Sequence, residues 1–210
     1  MKLTTFFLIV CISAIKAQIT NPTHQGSLAN GSPNGGASLY HPQSVFVAGN
    51  YAYITSMESA ASKGALEIVD ITNPNQPVHK SKLTVGYLSG SLKSVPQCVF
   101  VVGNLAYIAG WSTFEIIDIS DPINPIHKST LNNGENGAII NRSSSISVAG
   151  NYAYVTSYGS NAFEIINVSD PLNPIHAGKV IDGEAGASLN LPISVAVYGN
   201  SAYIESVYKL

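Results

Sequence analysis

One ten-residue block occurs four times in this 210-residue chain: VAGNYAYITS (47–56), VVGNLAYIAG (101–110), VAGNYAYVTS (148–157) and VYGNSAYIES (197–206). Successive copies lie 54, 47 and 49 residues apart. A fixed period of this size marks a repeat architecture, in which each unit buries its apolar faces against its neighbours. A longer block follows the first three copies without gaps: ALEIVDITNPNQPVHKSKL (65–83), TFEIIDISDPINPIHKSTL (113–131) and AFEIINVSDPLNPIHAGKV (162–180). The fourth ten-residue copy has no such partner before Leu210, and ITNPTHQGSL (19–28) resembles the end of the longer block.

Each repeat carries four strand signals. In Ser44–Ala48, Val45 and Val47 alternate with Ser44 and Phe46, the period-two pattern of a strand. Gly49-Asn50 predicts a two-residue type II′ hairpin turn, because glycine accepts the positive φ needed at its first position. Tyr51–Ser56, rich in aromatic and β-branched residues, is the second strand, and Leu66–Ile71 is the third. Asn73-Pro74 opens a turn that Pro77 closes, since proline cannot donate to a ladder. Val78–Leu83 is the fourth strand. No segment combines sustained helical periodicity with caps.

Four short strands per unit of this length predict the blade of a β-propeller. The fold class is therefore all-β, a propeller of four-stranded antiparallel blades. It comprises three full blades (about 44–84, 98–131 and 145–181) with partial units at 19–28 and 194–210. One leading strand, three blades and two trailing strands make fifteen strands, so the propeller is incomplete. A fragment of a longer propeller or an arc completed by a second chain would both look like this. Unpaired edges dispose such a chain to self-association.

The combination G-N-x-A-Y-[IV] followed by E-I-[IV]-[DN]-[IV]-[ST]-[DN]-P-x-x-P-[IV]-H resembles the LVIVD-repeat proteins. The stretches that carry the likeness are Leu66–Asp70, Phe114–Asp118 and Phe163–Asn167. The resemblance covers essentially all of residues 19–210. It implies a β-propeller of surface or secreted proteins, mostly without an assigned reaction. Asn167 departs from the Asp70 and Asp118 of the other copies, which argues against an indispensable charge there.

The N-terminus reads as a secretory signal peptide over residues 1–17. Lys2 supplies the positive flank, Thr5 to Ile15 is an apolar run too short to span a bilayer, and Ala17 marks the cleavage point. The expected location is secreted or cell-surface, with no transmembrane segment in the mature chain. From Gln18 onward the chain holds 8 basic and 12 acidic residues, a formal charge of −4. Arg142 is the only arginine. Nucleic-acid binding requires clustered Lys and Arg to displace counterions, and this composition excludes it. Cys98 is the one cysteine left, so no internal disulfide forms. It occupies the place of Ser44, Ser145 and Ser194, where a small buried group is expected.

Candidate functional positions lie on the loops. In a propeller, the loops between second and third strands and those between blades share one rim. The residue after each ten-residue block is Met57, Trp111, Tyr158 or Val207. Met57, Glu58, Trp111 and Tyr158 form the candidate ligand-binding rim, and aromatic platforms beside Asn, Ser and Gly suit a protein or carbohydrate partner. The competing expectation is that these side chains pack between blades. Gly36, Gly90, Gly137 and Gly186 recur in the inter-blade loops and predict turns of positive φ, with Glu135 and Glu184 as polar neighbours.

No catalytic set stands out. His79, His127 and His176 fall on outer strands of different blades and cannot converge on one ion, as zinc requires. Glu67, Glu115 and Glu164 recur once per blade and read as scaffold. The Asp118–Asn124 cluster lacks the ligand run of a calcium loop, and its prolines and Asx side chains explain it as a turn. No cofactor and no metal are expected. The expectation is a non-enzymatic binding module. The alternative is a polysaccharide-active hydrolase or lyase with Glu58 or Glu205 at the channel mouth.

Overall fold

A computed structural model describes residues 24–31, 36–57, 63–86 and 90–207. The signal-peptide segment, Glu58 and residues 19–23 of the leading partial copy lie outside the described residues.

Among the described residues, fourteen strands form three four-stranded sheets and one two-stranded sheet, all antiparallel and paired in chain order. Blade 1 holds β1 (Pro42–Ala48), β2 (Tyr51–Met57), β3 (Gly64–Asp70) and β4 (Val78–Thr84). Blade 2 holds β5 (Pro96–Val102), β6 (Leu105–Gly110), β7 (Thr113–Asp118) and β8 (Ile126–Asn132). Blade 3 holds β9 (Ser143–Ala149), β10 (Tyr152–Ser157), β11 (Ala162–Asn167) and β12 (Ile175–Ile181). Among the described residues the fourth unit holds β13 (Pro192–Tyr198) and β14 (Ser201–Ser206). The molecule is an incomplete β-propeller. Strands β1, β5, β9 and β13 pack side by side in that order, which makes the first strand of each blade the innermost.

The turn chemistry explains the register. Gly49, Gly103, Gly150 and Gly199 have φ of +57°, +57°, +57° and +58°, while the asparagine after each stays at negative φ. Positive φ at the first turn position alone is the II′ pattern, whose twist matches the flanking strands. After each third strand, Asp70 Oδ1, Asp118 Oδ1 and Asn167 Oδ1 accept the amides of Thr72, Ser120 and Ser169 at 2.9, 3.0 and 2.9 Å. Asn73, Asp121 and Asp170 cap the next step in the same way. In blade 2, the Asp121 carboxylate also accepts Asn124 Nδ2 at 2.8 Å, so its oxygens are committed to the turn.

The apolar core lies between blades. One cluster joins Phe46, Tyr53, Leu66 and Ile68 of blade 1 to Val99, Val101, Ile108 and Ile117 of blade 2. The next repeats that arrangement one blade on, with Tyr107, Phe114 and Ile116 against Ile146, Val148, Val155 and Ile166. A third, smaller cluster joins Phe163, Tyr154 and Ile165 to Val195 and Ile204. Each blade therefore has a forward face and a backward face, and burial follows from stacking one on the other.

Two details differ from expectation. β2 runs on to Met57 and β3 starts at Gly64, so the first rim loop is shorter than the sequence pattern suggests. Residues 24–28, the described part of the leading copy, carry no strand. They nevertheless lie where an outer strand lies. Ser81 Oγ of β4 donates to the Pro122 carbonyl of the next blade at 2.6 Å, and Ser129 Oγ of β8 donates to that of Pro171 at 2.7 Å. Gly26, aligned with these serines, sits against Pro74 so closely that a Cβ there would be 2.4 Å from the carbonyl oxygen. The leading segment thus holds the outer position of a blade preceding blade 1, without ladder bonding.

Candidate functional site

The repeated acids and histidines form one buried latch per blade. Glu67, Glu115 and Glu164 are 0–1% exposed. His127 Nε2 lies 2.9 Å from Glu115 Oε2, and His176 Nδ1 lies 2.5 Å from Glu164 Oε1. In blade 1, His79 Nε2 and Glu67 Oε2 are 2.6 Å apart but not aligned as a hydrogen bond. A bulge in the outer strand aims each histidine inward. Register slips by one between Ile68 and Val69, Ile116 and Ile117, and Ile165 and Ile166, leaving Lys80, Lys128 and Ala177 as the extra residues. An extra residue on one strand of a pair re-aims the side chains around it.

The same carboxylates hold the loop entering each blade. Glu67 accepts the amide of Ser38 at 3.1 Å, and Glu164 that of Ile139 at 3.1 Å. Glu115 accepts Lys93 N at 2.9 Å, Ser94 N at 3.2 Å and Thr113 Oγ1 at 2.8 Å. Burial pushes the carboxyls of Glu67 and Glu164 above the usual range, opposed by His79 and His176. These groups build the blade. They belong to three separate sites, each closed by its own histidine.

Lys80 and Lys128 on the bulges reach Asp70 and Asp118 at 3.1 and 3.0 Å. Blade 3 replaces both partners, with Asn167 and Ala177. The retained function of that position is the turn cap, and the charge pair is optional. The inter-blade acids are also turn elements: Glu135 accepts the backbone and side-chain amides of Asn132, and Glu184 accepts the amide of Ile181. Gly36, Gly90, Gly137 and Gly186 have φ of +65° to +91°.

On the rim, Met57, Trp111 and Tyr158 are half-buried and lie outside the three core clusters. Each is the first residue past a second strand or its last, and each is tied to the residue preceding its own blade's first strand. Met57 N donates to His41 O at 3.2 Å, Trp111 N to Val95 O at 3.0 Å, and Tyr158 N to Arg142 O at 3.1 Å. Blades 2 and 3 are further joined, because Arg142 N donates to Trp111 O at 2.8 Å. The Arg142 guanidinium carbon lies 5.6 Å from the Trp111 ring centroid, within cation–π range. The geometry therefore stacks Arg142 on Trp111 and joins Tyr158 to Arg142 through the backbone, while Met57 sits one blade away beside Tyr40 and His41. Arg142 was legible only as the sole arginine; its partnership with Trp111 depends on the folded inter-blade loop. Its φ of +51° is a left-handed conformation shared by His41 and Leu191 at the matching loop positions.

Glu205 lies exposed on β14 opposite Ser194, in the position held by Thr55, Ala109 and Thr156. Cys98 is buried in the junction between blades 2 and 3, its thiol 3.6 Å from the Ala109 carbonyl. Burial pushes that thiol up to about 12. No helix among the described residues is long and apolar enough to cross a membrane.

Stacked antiparallel blades, inner first strands and a variable loop rim define a repeat protein of the propeller class. The LVIVD repeat matches residues 41–85, 96–133 and 142–182, more than half the chain, and the protein belongs to that family. Among solved structures, the fold is similar to that of the computationally designed Ika4 protein. The TM-score is 0.56 at 8% identity, over 90% of this chain and 100% of that one. A protein from Lactobacillus plantarum gives 0.60 at 17% identity, covering 80% of this chain and 49% of that one. A functionally unknown protein from Desulfotomaculum acetoxidans gives 0.55 at 15%, covering 79% and 49%. At these identities the likeness is one of fold, and the chain spans about half the length of the two bacterial proteins. Comparison with curated proteins finds none that matches.

Proposed function

We propose that this protein is a secreted or cell-surface, non-enzymatic propeller module that binds a protein or glycan partner through its loop rim. The observation that carries the reading is the Trp111–Arg142–Tyr158 cluster. Its backbones are bonded to one another across two blades, Trp111 and Tyr158 lie outside the three core clusters, and the Trp111 ring carries the Arg142 guanidinium. Aromatic groups on backbone held in this way lose little conformational entropy on contact, which favours their use in recognition. The extracytoplasmic location rests on residues 1–17.

The test is an array of glycans and peptides probed with the mature protein. Selective binding that is lost in Trp111→Ala, with the circular dichroism spectrum unchanged, supports the reading. Binding indifferent to that substitution overturns it, as does substrate turnover that disappears in Glu58→Gln.

A further inference from the structure

We propose that the fourth unit of one copy docks on blade 1 of a second copy, reproducing between chains the junction that joins blades within the chain. Three interior junctions define what a forward face and a backward face look like, and among the described residues blade 1 and the fourth unit expose one of each. On the backward face, Val45 and Val47 of β1 are 62% and 57% exposed. Their counterparts Val99 and Val101 are 4% and 6% exposed beneath blade 1. On the forward face of the fourth unit, Tyr203 is 57% exposed, whereas Tyr53 and Tyr107 are 4% and 6% exposed beneath the following blade. Large apolar groups open at both ends are the halves of one interface type.

The polar partners match as well. Val99 N lies 3.5 Å from Ser44 Oγ, and Val195 N donates to Ser145 Oγ at 3.2 Å, so an inner-strand serine receives the amide of the next blade. Among the described residues, Ser194, the serine of the last unit, has no such amide, and Val45 N has no serine of a preceding blade. A second copy supplies each to the other. Thr55 Oγ1 likewise donates to Gln97 O at 2.9 Å. At the chain ends Glu205 stands in the place of Thr55 and Gln43 in that of Gln97, so this one donor is not reproduced there. The backward end also carries its own outer-strand segment, with Gly26 against Pro74. The place left open beside blade 1 is thus that of inner strands, and inner strands are what β13 and β14 provide.

This contact is head-to-tail: the surface used on one copy differs from that used on the other. That property gives the test. Val45→Glu blocks one face and Tyr203→Glu the other, and both positions are exposed, so neither change disturbs the core. Multi-angle light scattering of the wild-type chain should give a mass of two or more chains, and each variant alone should be a monomer. Mixed, the two variants should form a one-to-one complex, because each retains the face its partner needs. A monomeric wild type overturns the proposal. So do variants that still self-associate, or monomeric variants that fail to pair on mixing.

Discussion

His127 Nε2 stands 2.9 Å from Glu115 Oε2, while the other oxygen of that carboxylate holds the amides of the incoming loop. One buried side chain thus fastens an outer strand and an inter-blade loop to the third strand of its blade. Removing it takes one acceptor from each of His127, Lys93 N, Ser94 N and Thr113 Oγ1. Breaking a buried pair from one side costs about 3–5 kcal/mol, because the remaining polar groups stay desolvated. Glu115→Ala should therefore lower the urea midpoint by that order, and Glu115→Gln, which keeps an acceptor oxygen, by less. Equal midpoints for Glu115→Ala and wild type would remove the latch from the stability argument.

Acid should weaken the charge-capped turns in a defined window. Side-chain and backbone hydrogen bonds from Thr72, with Lys80 nearby, lower Asp70 to about 2, and Ser120 with Lys128 does the same for Asp118. A folded value below the unfolded 3.8 means that stability is present above 3.8 and drains away as pH falls toward about 2. The buried Glu67 and Glu164, shifted upward, act in the opposite sense, losing stability as pH rises through their range. The Asp70→Asn/Asp118→Asn variant should show a shallower loss of urea midpoint between pH 4 and pH 2 than wild type. An unchanged slope would assign the acid sensitivity to other groups.

Cys98 should be silent in the folded protein. A buried thiol held up at about 12 supplies almost no thiolate at neutral pH. Alkylation by iodoacetamide should be negligible until denaturant is added, then go to completion. Cys98→Ser should fold with near-wild-type stability, since Ser44 and Ser145 occupy the same place and accept an amide from the next blade. Rapid native labelling would show that the junction between blades 2 and 3 opens.

Gly26→Ala should release the leading segment from blade 1. The added Cβ meets backbone oxygen, and backbone cannot rotate aside as a flexible side chain can. Hydrogen exchange of residues 25–28 should accelerate while the strands of blades 2 and 3 keep their protection. Unchanged exchange would mean that the segment is held elsewhere.

The blades were legible in the sequence because their determinants are local and repeated. Turn glycines, Asx caps and alternating strands recur at fixed offsets, so the strands emerge within two residues of the predicted ends. The latches were only half legible. Glu67 and His79 were visible as repeated residues, but their pairing depends on the one-residue bulge at Lys80, which no alternation pattern announces. The reading of Glu as scaffold holds for the same reason. The leading copy matched an outer strand in sequence, and its described residues 24–28 occupy that place, yet no neighbouring strand among the described residues gives them a ladder. At the rim, Trp111 and Tyr158 were identified by position alone. Their link through Arg142 is a long-range backbone contact, invisible to periodicity.

The bulges at Lys80, Lys128 and Ala177 carry an evolutionary consequence. Because each fixes the offset from glutamate to histidine, the stretch between them cannot gain or lose a residue without turning the histidine out to solvent. All three copies of that stretch are equal in length, and the spacing differences fall in the loops instead. Duplication and drift are thereby channelled into the rim, so its loops can be rewritten, lengthened or grafted while the blades keep their lock.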